Sequence, residues 1–95
     1  MKNTITIKFL EAQVERLNII TGSPVATYIK SGGQYDAQVG NYHLSGAYGG
    51  YALHRVGNQS GGISDVFRCG HVSKRELSDR ISAMICGIES IKPLN

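Results

Sequence analysis

Cys69-Gly70-His71 puts two zinc-ligand side-chain types two positions apart, and His43 and His54 could add two imidazoles. Zinc sites with predictive spacing repeat a pair, as in C-x2-C or H-x3-H, and no such pair occurs. Cys69 therefore reads as a small buried residue at a strand end and His71 as a polar loop residue, and no metal is expected. Ser45, Ser64, His43, His54 and Asp65 supply the residue types of a hydrolytic triad. They lack a nucleophile elbow, and one domain of this length has little room for a shielded pocket. Gly46, Gly49 and Gly50 could offer backbone N–H groups to an anion, but no Lys-Ser/Thr follows them to open a helix. Glycines that let a twisted sheet turn and bulge are the simpler reading. The expectation is a protein that is not an enzyme, with no catalytic residues and no cofactor.

Length and composition bound what must position these groups. Ninety-five residues, 41% hydrophobic and 18% charged, suit a single domain over 1–95 with one modest core. No apolar run approaches the roughly 20 residues of a membrane helix, so no membrane partner is expected. The opening MKNTITIKFLEAQ has no long apolar segment and no small-residue cleavage site, so cytoplasmic residence is the expectation. Two cysteines, Cys69 and Cys86, make no disulfide framework, and reduced thiols are expected.

Residues 6–21 predict a first helix, with Ile7, Leu10, Val14 and Leu17 on one face, a cap at Asn3, Thr4 or Thr6, and a stop at Gly22 before Pro24. VATYIK (25–30), a Ser31-Gly32-Gly33 turn and Gln34–Val39 then read as a hairpin. In its second strand Tyr35, Ala37 and Val39 alternate with Gln34, Asp36 and Gln38, the pattern of a half-buried strand. Tyr42–Ser45 and Gly50–Val56 add strands, Tyr51, Leu53 and Arg55 facing away from Ala52, His54 and Val56. Ile63–Cys69 returns as another, with Val66 and Phe67 contributing to the core from opposite faces. The second helix opens on a capping box, Ser73 with Glu76, flanked by staple residues Val72 and Leu77. Its stripe is Leu77, Ile81, Met84, Ile85 and Ile88, and Lys92-Pro93 ends it. Opposite the stripe lie Ala83, Cys86 and Ser90, small enough to admit another helix.

The run GNYHLSGAYGGYALHR, then GGISDVF and GHVSKREL before an apolar helix, is similar to small proteins of prophages and other mobile elements of Gram-negative bacteria. With the preceding ERLNIITGSPVATY, the likeness spans residues 14–89. It implies an accessory role and brings no activity, cofactor or catalytic residue. Element order also resembles the double-stranded-RNA-binding domain, whose last helix opens on lysines that meet phosphates. Here that cluster is only Lys74-Arg75, followed at once by Glu76.

The fold expected is α+β: an N-terminal helix, an antiparallel meander of four to five strands, and a C-terminal helix packed on the sheet. With both helices on one face, apolar residues of the other (Tyr28, Ala52 or Val66) stay partly exposed, which points to a partner surface. The leading expectation is an accessory protein that forms a homodimer, with Ala83, Cys86 and Ser90 as the dimer face, and binds a host or phage macromolecule. The alternative is a nucleic-acid-binding module using Arg55, Arg68, Lys74 and Arg75. Tyr42, Tyr48 and Tyr51 would be available for stacking. The net charge of +3 permits this and does not require it, because the basic residues are scattered.

Overall fold

The computed structural model describes residues 4–91. Helix α1 spans Ile7–Thr21 and helix α2 spans Lys74–Ser90. Between them lie β1 (Tyr28–Ser31), β2 (Gln34–Ala37), β3 (Tyr42–Ala47), β4 (Gly50–Val56) and β5 (Ile63–Asp65). The protein is α+β, with all strand pairs antiparallel.

The caps follow from local chemistry. Thr6 is the N-cap of α1, its hydroxyl accepting from the Phe9 amide at 3.1 Å, while Asn3 lies outside the described residues. Gly22 closes α1 in the left-handed conformation (φ 70°). Ser73 caps α2 by accepting from the Glu76 amide at 3.1 Å. The second half of that capping box is diverted: the Glu76 carboxylate accepts from Arg80 at 2.9 Å. Helix α2 ends at Ser90 with Ile91 as its cap, and Lys92-Pro93 lies outside the described residues.

Both helices meet the sheet through one face. Leu10, Val14 and Leu17 of α1 and Leu77, Ile81 and Ile85 of α2 enclose Tyr42 and Leu53, with Leu44, Tyr51, Met84 and Ile88 packed around them. Ile7, expected in the stripe, is 44% exposed, so the buried face of α1 starts a turn later at Leu10. Gln13 ties the helices together by donating to the Ser78 carbonyl (3.2 Å) and the Ser82 hydroxyl (2.8 Å), and Arg16 pairs with Glu89.

The strands divide differently from a single meander. β3-β4-β5 form a three-stranded sheet, and β1-β2 form a separate two-stranded ribbon. The half-buried alternation expected in the ribbon therefore fails: Ala37 is buried, but Tyr35 and Val39 are 69% and 50% exposed, because neither helix reaches them. Strand β5 also stops early. The Asp65 carboxylate accepts from the Arg68 and Gly70 amides (3.1 and 2.9 Å) and turns the chain at the point where the strand was expected to run on to Cys69. Freed from strand geometry, Val66 and Phe67 both pack against the same core rather than on opposite faces.

Candidate functional site

The sheet face away from the helices gathers the chemistry-bearing side chains. His43 and His54 are direct partners across β3 and β4. Val72 bridges Tyr51 on the other side of β4, bonded N–H to carbonyl in both directions (2.7 and 2.9 Å), which sets His71 beside Ala52. His71 then reaches across β4, its Nε2 at 3.1 Å from the Ser45 hydroxyl. Ala52, the residue spanned, is 1% exposed, so this face is not open there as expected. Tyr48 completes the line from the β3–β4 turn, 95% exposed and held at φ 54°. The four rings run Tyr48, His71, His54, His43, edge to face, with centroids 5.7, 6.1 and 5.8 Å apart.

This row brings together three of the four residues first considered for a metal and leaves out the fourth. Cys69 sits in the Asp65 turn, its thiol 3.6 Å from the Gly70 carbonyl. Among the described residues no group of three or more His, Cys, Asp or Glu is placed to hold a metal ion. Ser45 meets an imidazole, that of His71 rather than of His43 or His54. A triad needs a carboxylate behind the imidazole to stabilise its charged form. Asp65 uses both its oxygens on backbone amides of its own turn, and Ser64 lies in a hollow on another side, with Arg55 and Arg68.

His43 is held below its ordinary value of 6.5, first by burial and second by the neighbouring His54. As pH falls through 6.5 the unfolded chain takes up this proton before the folded one does, so stability is full above that value and declines below it. The expected result is a lower urea midpoint at about pH 5.5 than at about pH 7.5, with the decline reduced in His43→Gln. Equal midpoint shifts in both proteins would remove this account.

The candidate nucleic-acid contacts divide. Arg55 lies over the Tyr42 ring (4.7 Å to the centroid), bonds the Gly40 carbonyl at 3.2 Å, and shares with Arg68 a hollow of about 320 Å³. Lys74 and Arg75 form no part of its walls and open α2. The candidate dimer face divides too. Cys86 and Ser90 line a groove of about 690 Å³ between α1 and α2, whereas Ala83 is exposed outside it. Helix α1 of the same chain meets α2 along Ser78 and Ser82, a turn or more before Cys86 and Ser90.

No protein family model, curated protein or solved structure matches this chain. No helix of the described residues is long and apolar enough to cross a membrane.

Two asparagines that pattern reading passed over organise the site's border. Asn18, 2% exposed, accepts from the Tyr42 amide (2.8 Å) and donates to the Tyr42 carbonyl (2.9 Å). Asn41, fully buried, donates to the Pro24 and Val25 carbonyls (2.8 and 3.1 Å) and accepts the approach of His43 Nδ1 at 3.2 Å. The signal for Asn18 was present: it sits four residues after Val14, on the buried side of α1, where a polar side chain needs partners.

Proposed function

We propose that this is a non-enzymatic accessory protein of the phage or prophage kind, which pairs with a second copy of itself and binds a host or phage macromolecule. The β1-β2 ribbon carries the reading. A two-stranded hairpin is marginal in water unless a third strand or a helix covers it. Here Tyr28, Ile29 and Tyr35 are 52%, 50% and 69% exposed, and Val25 and Val39 continue the apolar surface at the base. The register puts Tyr28 and Tyr35 on one face and Ile29 on the other, so apolar surface is exposed on both faces, although Ala37 opposite Tyr28 is buried. Apolar surface of this kind, on an element packed against neither helix, marks an association site. The accessory part of the reading draws on the prophage-like sequence phrases.

Light scattering across micromolar concentrations tests the pairing. The expected result is a mass rising above 10.3 kDa with concentration in the wild type, and holding at that value in Tyr28→Ser/Tyr35→Ser. A mass of 10.3 kDa throughout in both proteins contradicts the pairing. The second reading, nucleic-acid binding, draws on the stacking of Arg55 on Tyr42 beside Arg68. It differs from the first in the steep salt dependence that phosphate contacts impose.

A further inference from the structure

β3 is an edge strand of its sheet, and among the described residues its outer edge is closed at one position, Tyr42. The Tyr42 N–H and C=O point away from β4, since both bond to the Asn18 side chain. Antiparallel alternation then sends the N–H and C=O of Leu44, and next those of Gly46, out along the same edge. No described residue pairs with them. Beside this edge runs α1, and between the two lies a groove of about 610 Å³ walled by Leu44 and His43 on the strand side. The helix side presents Glu11 and Glu15, one turn apart and both exposed, with Lys8 at one end. In a chain of net charge +3 this wall is locally acidic.

We propose that the open edge of β3 beside α1 is a strand-addition site that takes an extended peptide segment of a partner protein, with basic side chains turned toward α1. Unpaired strand edges recruit extended chains through main-chain hydrogen bonds, and a flanking wall selects the alternate side chains. Leu44 and Gly46 offer two N–H and two C=O groups to such a segment. Glu11 and Glu15 lie where its alternate side chains pass, which favours lysine or arginine there. Asn18 blocks the ladder at Tyr42 and so sets where a bound segment ends. This site rests on the binding-protein reading and gives that reading a partner class. The groove reaches Val25 and Thr27 at the base of the ribbon, but its ladder positions lie on β3 and not on Tyr28 or Tyr35, so the two can fail separately.

The test is selection of a ribosome-displayed random heptapeptide library on the full chain, followed by amide-shift titration with the enriched peptides. The expected winners are basic peptides rich in β-branched residues that shift the Leu44 and Gly46 amides. Leu44→Pro, which removes the outward N–H, should weaken binding about tenfold relative to Leu44→Ala, which keeps it. Glu11→Arg/Glu15→Arg changes only exposed side chains, and it too should weaken binding about tenfold or more. It keeps the test decisive if Leu44→Pro fails to fold. No enrichment, or winners that bind the double variant as well as the wild type, overturns the proposal. Winners that shift only ribbon amides also overturn it and leave the binding-protein reading standing.

Discussion

Gly50→Ala is expected to lower stability by about 2–3 kcal/mol, with a fall of roughly 8–24 °C in melting temperature for a domain of this size. A Cβ built on Gly50 would lie 2.8 Å from the Val72 carbonyl oxygen and 3.1 Å from both the His71 carbonyl carbon and the Val72 nitrogen. All three are backbone atoms, so no side chain can swing aside. Relief requires the segment before α2 to move off β4, and that breaks the paired bonds between Tyr51 and Val72. The damage should be local as well as global. Amide exchange at Tyr51 and Val72 should quicken more than at Leu53, and His71 should lose its bond to Ser45. Gly87→Ala supplies the opposite sign. Apart from the helix's own local backbone, nothing lies within 4 Å of a Cβ there, and an exposed helix interior favours alanine over glycine by about 1 kcal/mol. Thermal melts that find the two variants alike would show that close backbone approach is not what holds Gly50.

The difference between these glycines locates the limit of what the sequence discloses. Both helices were readable because their signals are local: Ser73 caps the amide three residues on, Gly22 closes the turn before it, and the apolar stripes repeat at helical spacing. The faces of β4 were readable for the same reason, since alternation is a property of neighbours. Alternation in Tyr35, Ala37 and Val39 announces a face without saying whether the body reaches it, and in the fold only Ala37 of the three is covered. The early end of β5 depends on one carboxylate folding back on its own loop, and strand propensity does not register that. The histidine row is less accessible still. It needs the His43–His54 register, the Tyr51–Val72 bridge and the Asp65 turn together, joining residues 43 to 71 through three separate pairings. Each histidine was visible as a candidate, and their meeting was not.

Asn18→Ala should be as costly as the loss of a large core residue, about 3–5 kcal/mol, although it removes only a small amide. The carboxamide is the sole described partner of the outward Tyr42 N–H and C=O, and Tyr42 itself is 5% exposed. Truncation leaves two buried backbone groups unpaired, each costing on the order of 1–3 kcal/mol, before the cavity is counted. Asn18→Leu separates the causes: it restores volume and leaves both groups unpaired, so it should recover little. Asn18→Asp separates them further. An ionised carboxylate still accepts from the Tyr42 amide but sets a second oxygen against the Tyr42 carbonyl, which together with burial raises its pKa. A raised carboxyl pKa means the folded state holds the proton more tightly, so this variant should gain stability relative to wild type as pH falls through that pKa toward the ordinary carboxylate value. The His43 contribution runs the other way in both proteins and cancels in the difference between their urea midpoints. An acid-dependent gain in Asn18→Asp, together with little recovery in Asn18→Leu, would identify the amide–backbone pairing as the clasp between α1 and the sheet edge, because burial alone raises a carboxyl pKa but does not make a volume-restoring leucine fail. A difference that is flat with pH would assign Asn18 a packing role alone, and the edge of β3 would then have no built end at Tyr42.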